Sequence, residues 1–248
     1  MRLKDKVAVV TGAASGFGRG IAEAFVRDGA FVVVADINES GGKEVAAALG
    51  DRAVVSHADV TSAADVERMI DVAEKKFGPV DILVNNAGIT HRNQPLMDVA
   101  EDEFDRIYAV NVKSIFLTVK CVVPRMRGRG GSIINVASTA GVRPRPGLTW
   151  YNGSKGAGIT LTKSLAAELA PDNIRVNAIN PVMGETGMLE QFMGLPDTPE
   201  NRAKFVAGIP LGRMSQPADI ANAALFFADP ASAFVTGVAM EVDGGRCI

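Results

Sequence analysis

The sequence predicts an α/β fold: a single doubly wound parallel sheet of about seven strands with helices on both faces. Three observations carry that expectation. Short β-branched runs alternate with amphipathic segments from end to end, the pattern of repeated strand–helix–strand crossovers. The first six runs are mostly continuous rather than alternating in apolar character, as strands covered on both faces should be. The 248 residues show no low-complexity stretch and no shift in composition, which suits one domain over 1–248, since α/β folds reach about 250 residues as a unit.

The elements follow in order. Residues 7–10 open the sheet, and a glycine turn leads into a helix carrying Ile21 and Phe25 that stops at Gly29. Residues 31–35 and 54–55 read as the next two strands. Val66, Met69, Ile70, Ala73 and Phe77 share one helical face. Ser62-Ala63-Ala64-Asp65, close to a capping box, begins that helix and Gly78-Pro79 ends it. Residues 82–84, 133–136 and 176–179 continue the sheet. Pro217 opens a late helix with Ile220, Ala224 and Phe227 on one side, before a last strand over 238–242. The stretch from Pro181 to about Pro210 takes no assignment. Long irregular segments in compact domains are usually functional lids or contain short helices, so a substrate lid is expected over about 183–210.

Composition narrows the function classes. Lys+Arg number 26 against 28 Asp+Glu, a net charge of −2, which lacks the basic surplus a nucleic-acid binder uses against phosphates. A hydrophobic share of 47% excludes a disordered chain. Two cysteines, Cys121 and Cys247, make no disulfide framework and fit a reducing compartment. The only histidines are His57 and His91, in no metal-ligand spacing, so no metal is expected. The first apolar run lasts four residues and none reaches about 18, so neither an export signal nor a membrane span is expected, and the protein reads as cytoplasmic.

Thr11-Gly12-Ala13-Ala14-Ser15-Gly16-Phe17-Gly18 lies between the first strand and the first helix. Strand, glycine turn and helix form the context in which backbone at Gly12, Ser15, Gly16, Phe17 and Gly18 can approach a pyrophosphate at a helix N-terminus. A tight turn in which the glycines serve only packing is the alternative. Asp36 closes the second strand and can accept the adenosine ribose hydroxyls, with Ile37 beside it, or can simply cap a helix. Asp59-Val60, after the third strand, suits an adenine contact or a helix cap equally. Tyr151 and Lys155 are at i, i+4 on one helical face, and Ser138 follows the fifth strand, where a parallel sheet presents its ligand edge. A hydroxyl, a phenol and an ammonium converging there suit proton transfer to or from an alcohol, with the cation favouring the phenolate.

Thr11-Gly12-x-x-x-Gly16-x-Gly18, Asn85-Asn86-Ala87-Gly88, Asn111, Ser138 and Tyr151-x-x-x-Lys155, in that order, resemble the short-chain dehydrogenase/reductase family in its single-domain branch, over essentially the whole chain. The resemblance implies a Rossmann fold in which Tyr151 is the general acid/base and Ser138 orients and polarises the substrate oxygen. It implies that Lys155 binds the nicotinamide ribose and lowers the Tyr151 pKa. Asn111 would hold a proton-relay water, and Asn86, Ala87 and Gly88 would wall the cofactor. From the residues alone, Asn111 also reads as a hydrogen-bonded core residue and the Asn-Gly segment as a turn. One departure stands out: the sixth strand continues Asn180-Pro181-Val182-Met183-Gly184-Glu185-Thr186, with Val182 where the family usually has Gly, so the backbone there must avoid positive φ. Pro181, Gly184 and Thr186 are expected along the cofactor, Thr186 at the carboxamide.

By the same resemblance the substrate pocket takes His91, Thr139, Arg143, Arg145, Trp150, Met183, Met188, Leu189, Phe192 and Met193. His91 reads more simply as a partly exposed loop residue, and Arg143 and Arg145 suit an anionic substrate or solvated loop charges alike. Met188, Leu189, Phe192 and Met193 are spaced for one apolar face of a lid. Arg125, Arg127 and Arg129 suit an acyl-carrier-protein docking patch or, as favoured, cations complementing a helix C-terminus.

The function expected is an NAD(H)-dependent oxidoreductase moving a hydride between nicotinamide and a secondary alcohol or ketone, whether a small alcohol, a polyol or a sugar. A 3-oxoacyl-[acyl-carrier-protein] reductase is the alternative. A sugar-nucleotide epimerase or dehydratase ranks lower because such relatives are usually longer, with an added substrate domain. A non-catalytic NAD sensor ranks lower because Asn111, Ser138, Tyr151 and Lys155 are intact. Asp36 argues for NAD(H) over NADP(H), since Ser15, Ile37 and Asn38 stand where NADP-preferring relatives often carry Arg or Lys and Arg19 is the nearest cation. The resemblance also implies a homotetramer.

Overall fold

The computed structural model describes every residue of the chain except Thr186. Seven strands form one parallel sheet: β1 (Val7–Thr11), β2 (Phe31–Asp36), β3 (Ala53–His57), β4 (Ile82–Asn85), β5 (Gly131–Val136), β6 (Ile174–Pro181) and β7 (Ala239–Val242). Their spatial order is β3-β2-β1-β4-β5-β6-β7, every pairing parallel. Each expected strand is present, lengthened by a residue or two in most cases because pairing with neighbours extends beyond the β-branched core of each run.

Among the described residues the helices are α1 (Gly16–Arg27), α2 (Glu39–Leu49), α3 (Ala63–Lys76), α4 (Glu101–Tyr108), α5 (Ser114–Met126), α6 (Thr149–Leu169), α7 (Leu189–Met193), α8 (Pro199–Val206) and α9 (Pro217–Ala228). Side chains alternate across each strand, so the sheet builds two cores. Ala8, Val10, Val32, Val34 and Ile134 face α1, α2 and α9 through Ile21, Phe25, Val45, Ile220 and Phe227. Val7, Val9, Val33 and Ile133 face α3, α5 and α6 through Met69, Ile70, Val122, Met126 and Leu169. The alternation explains why the strands read as continuous apolar runs: neither face meets water.

Ser62 caps α3 by accepting from the Asp65 N–H, but the Asp65 carboxylate accepts from Asp59 N rather than returning to Ser62, so the expected capping box is half formed. Between α4 and α5 a π turn, Ala109–Lys113, carries Asn111. The continuous helix Glu101–Met126 reaches bilayer-crossing length and hydropathy by composition alone. Its apolar stretch is broken by Lys113 and Lys120, so no uninterrupted apolar run of that length exists, as expected, and the helix packs on α3 and α6. The segment left unassigned in the sequence contains α7 and α8. Val182 avoids positive φ, since Asp5 and Asn173 are the described non-glycine residues found there; its N–H reaches Val242 O at 3.4 Å, prolonging the β6–β7 pairing.

Candidate active site

Sheet order reverses between β1 and β4, and a parallel sheet opens a crevice at its carboxyl edge where that happens. The cleft there measures about 700 Å³. Thr11, at the end of β1, organises the floor. Its Oγ1 donates to Val84 O at 3.3 Å and accepts from the N–H groups of Asn86 and Ala87, both at 3.0 Å. Asn86 Nδ2 returns to Thr11 O and Gly12 O, so the segment after β4 is laced to the glycine turn.

The turn has the form of an anion cradle. Gly12, Ser15, Gly16 and Phe17 line the cleft. Gly16 opens α1 at φ +54°, a conformation side chains rarely adopt. Ser15 occupies the N-cap without a side-chain capping bond, and the first turn of α1 holds no acid, so its N–H groups suit a pyrophosphate. Gly18 departs from the expectation: it is not in the lining, and a Cβ there would lie 2.2 Å from Gly12 O, so its role is to let the helix pack on the turn. Asp36 lines the far end, its carboxylate held by Ala14 N at 2.9 Å and Asn38 N at 2.8 Å. Ile37, largely exposed, lines the same end. Arg19 pairs with Glu23 at 2.7 Å. Asp59 and Val60 also line the cleft; Asp59 accepts from Thr61 N and Oγ1, while the helix cap falls to Ser62. These residues fit an adenosine–pyrophosphate moiety.

At the other end Ser138, Tyr151 and Lys155 come together, with Ala87 and Gly88 opposite. Ser138 ends the β5 loop as the cap of a short turn, accepting from Ala140 N at 3.1 Å and donating to Pro181 O at 3.5 Å. Lys155 Nζ donates to Val136 O at 2.9 Å and lies 5.8 Å from the Tyr151 ring centre. Both side chains are buried. Burial pushes the Tyr151 phenol up to about 12, with a Ser138 hydrogen bond pulling the other way, and brings the Lys155 ammonium down to about 8. The direction is opposite to the lowering expected from Lys155: burial dominates the phenol, while the ammonium donates to a backbone carbonyl.

Asn111 does not line the cleft. Its side chain bonds Ile89 in both directions, accepting from N and donating to O at 2.9 Å each, and donates to Ser154 Oγ. Gly88 leaves the space between: a Cβ there would stand 3.2 Å from Lys155 Nζ and 3.4 Å from Asn111 Oδ1. Pro181 and Gly184 line the cleft, although Gly184 also makes room for Phe17, whose ring would meet a Cβ at 2.3 Å. Thr186 lies outside the described residues.

The substrate end is partly redrawn. Thr139, Arg143, Arg145, Met183, Met188 and Phe192 line it. His91 does not; it is buried, not partly exposed, and its Nδ1 is bonded to Arg92 O at 2.8 Å. Trp150 instead meets the Phe104 ring edge-on and donates to Leu96 O. Leu189 and Met193 turn into a small core with Met214. The expected single apolar face is thus two adjacent rows: Met188 and Phe192 face the cleft, Leu189 and Met193 face the small core around Met214. Sequence reading missed Leu148, Lys204, Phe205 and Arg246. Phe205 lay in the flagged segment, but nothing local marked Arg246, which reaches the cleft after the turn at Asp243–Gly245.

A depressed Lys155 has a measurable consequence. Its folded value lies below the ordinary 10.5, so the ammonium costs stability below about pH 8, and the cost fades as the unfolded chain also loses its proton. Urea unfolding should show wild type gaining about 2 kcal/mol relative to Lys155→Met between about pH 7 and pH 9.5. Parallel stability curves for the two proteins would refute this.

A family model described as enoyl-(acyl carrier protein) reductase matches residues 12–246. The chain is 50% identical to the 4-formylbenzenesulfonate dehydrogenase of Comamonas testosteroni, with all of each chain covered. It is 38% identical to the sorbitol dehydrogenase of Cereibacter sphaeroides over 99% of each. Among solved structures, the 3-ketoacyl-(acyl-carrier-protein) reductase of Brucella melitensis complexed with NADH superposes with a TM-score of 0.94 at 47% identity, covering 99% of this chain and 100% of that one. With the motifs in order from Gly12 to Lys155 and relatives of this identity along its full length, the chain belongs to the short-chain dehydrogenase/reductase family.

Proposed function

We propose that this protein is an NAD(H)-dependent oxidoreductase that interconverts a secondary alcohol and its ketone. The observation that carries the proposal is one cleft with two chemically distinct ends: a glycine cradle terminating at Asp36, and a buried Ser138, Tyr151 and Lys155. Bound nicotinamide supplies or accepts the hydride. In the reductive direction Tyr151, held protonated by burial, gives its proton to the carbonyl oxygen while the Ser138 hydroxyl hydrogen-bonds the same oxygen; oxidation reverses the hydride and proton transfers. Lys155 holds the nicotinamide ribose, and Asn111, through Ile89, keeps the wall at Gly88 in position beside it. Tyr151→Phe keeps the ring and its packing, so kcat should fall by about 10²–10⁴-fold with cofactor affinity largely kept. More than half of wild-type kcat in steady-state assays would reject the role, provided chemistry limits turnover.

NAD(H) is preferred over NADP(H). The extra phosphate, −2 against −1 at about 4 Å, would be repelled by Asp36 by roughly 8 kcal/mol at an effective dielectric near 20, before screening. A third of that is about a hundredfold in affinity. Ala14 N and Asn38 N fix the carboxylate in place, and Arg19 is engaged by Glu23. Comparing kcat/KM for the two cofactors with one shared substrate tests this, and equality or an NADP(H) preference would sink it.

A 3-oxoacyl-[acyl-carrier-protein] reductase is the second reading. The basic run is engaged within the chain, Arg125 by Asp71 and Glu74, Arg127 by Asp172 and Arg129 by Val80 O, which weighs against a docking patch although Arg127 and Arg129 stay exposed.

The proposal extends to a cytoplasmic homotetramer in which α7 and α8 act as a lid. Both cysteines are free, as a reducing compartment allows. Phe116 on α5 is one exposed apolar site, and Phe226, Phe234 and Val238 near the edge strand β7 are another; two separate faces are what a closed dimer of dimers requires. Sedimentation should give a tetramer, and hydrogen exchange over residues 188–206 should slow with cofactor plus substrate. A monomer, or exchange already slow and unchanged by ligand, would refute the respective claim.

A further inference from the structure

The cleft is electrically polarised along its length. Its acidic lining residues, among those described, are Asp36 and Asp59 at the adenosine end. Besides Lys155 and Arg106, its lining cations are Arg143, Arg145, Lys204 and Arg246, which lie beyond Tyr151. Among the described residues none of these four has a carboxylate within 4 Å, whereas Arg125, Arg127, Arg202 and Arg213 are all paired. Arg145 and Arg246 are half-buried, where like charges without a counter-ion are costly, while Arg143 and Lys204 are exposed. Burial, followed by the charge of Arg246, holds the Arg145 guanidinium below its ordinary pKa.

Arg145 is also a built feature rather than a solvated loop charge. Its guanidinium lies 4.7 Å from the centre of the Phe205 ring, and its Nη2 donates to Phe192 O at 3.3 Å. The Phe192 ring in turn meets Tyr151 edge-on, with centres 5.2 Å apart. Arg145 is therefore fixed one residue beyond the ring that covers the acid/base. Arg143 Nη1 donates to Arg246 O, tying the C-terminal segment over the same opening. Between Tyr151 and the arginines the walls are apolar: Leu148, Met183, Phe192, Phe205 and Ile209. The sequence left Arg143 and Arg145 open between these two roles; Arg246, distant in sequence, decides between them.

We propose that Arg145, with Arg143 and Arg246, forms an anion subsite, so that the substrate is an alcohol or carbonyl compound bearing a carboxylate or sulfonate across an apolar, ring-sized body. This rests on the dehydrogenase reading of the same cleft. Reduction consumes NADH and one proton and yields the alcohol and NAD⁺, with the anionic group untouched. Guanidinium forks match such planar or tripodal oxyanions, and a polyol would leave the cluster unneutralised.

The test compares 4-acetylbenzoate with its methyl ester, each reduced by NADH. Wild type should favour the carboxylate at least tenfold in kcat/KM, and Arg145→Met should lower the carboxylate-to-ester ratio by roughly 10–100-fold. Arg246→Met, on a surface segment, should lower it in the same direction and keeps the test open if Arg145→Met does not fold. An ester reduced as well as the carboxylate, or a ratio unmoved by either substitution, overturns the subsite while leaving the dehydrogenase reading intact. Absence of turnover with both compounds separates the two claims further, because binding of benzenesulfonate to the NADH complex, followed by nicotinamide fluorescence, reads the subsite alone. Binding weakened at least tenfold by Arg145→Met and by added salt supports it; no binding, or equal binding by wild type and variants, overturns it.

Discussion

Everything at the active site depends on β1 and β4 lying side by side while the chain leaves them toward opposite faces of the sheet. Adjacent parallel strands with helices drawn apart leave their carboxyl ends uncovered, and no other part of the sheet does so. Thr11 makes the gap rigid by bonding across it to Val84, Asn86 and Ala87. Deeper in the sheet Asn85, Asn135, Thr118 and Thr162 form a closed set of side-chain hydrogen bonds between β4, β5, α5 and α6. Because each buried polar group there has a partner, the network specifies one register at little cost. α6, which carries Tyr151 and Lys155, is thereby tied to the strand that leads to Ser138.

The buried phenol and ammonium follow from that same architecture. A helix packed against a sheet edge buries both members of an i, i+4 pair on its inward face, and burial drives their proton affinities toward the neutral forms. A phenol that keeps its proton suits carbonyl reduction. The cost of an ammonium with no carboxylate beside it is a stability penalty localised at the functional site, as strained or desolvated groups at such sites often are.

The cleft's far wall comes from elements remote in sequence: α7, α8, the loop after Ser138 and the segment after β7. α7 shows how five residues serve two masters. Leu189 and Met193 anchor it on Met214, while Phe192 leans on Tyr151. A short helix with its own small core can move as a unit, which suits a cover over substrate.

The sequence by itself determined the parallel α/β sheet, the glycine turn with its following helix, the acid closing β2, and the Ser138, Tyr151, Lys155 spacing. All of these are local: apolar runs of strand length, residues without Cβ at a turn, and an i, i+4 pair are written in neighbouring positions. It set Gly18, His91, Trp150, Leu189 and Met193 along the cleft, where the structure turns them elsewhere, and left Asn111 open between a relay and a core role, because a residue's position beside a cleft does not settle which way its side chain turns. The tertiary structure alone decided that Gly18 serves packing, that Asn111 braces Ile89, and that Met188 to Met193 divides between two faces. It alone brought Arg246 to Arg143 and Arg145. That meeting joins residues about a hundred positions apart through two loops with no periodic signal, and only the folded sheet fixes where such loops converge.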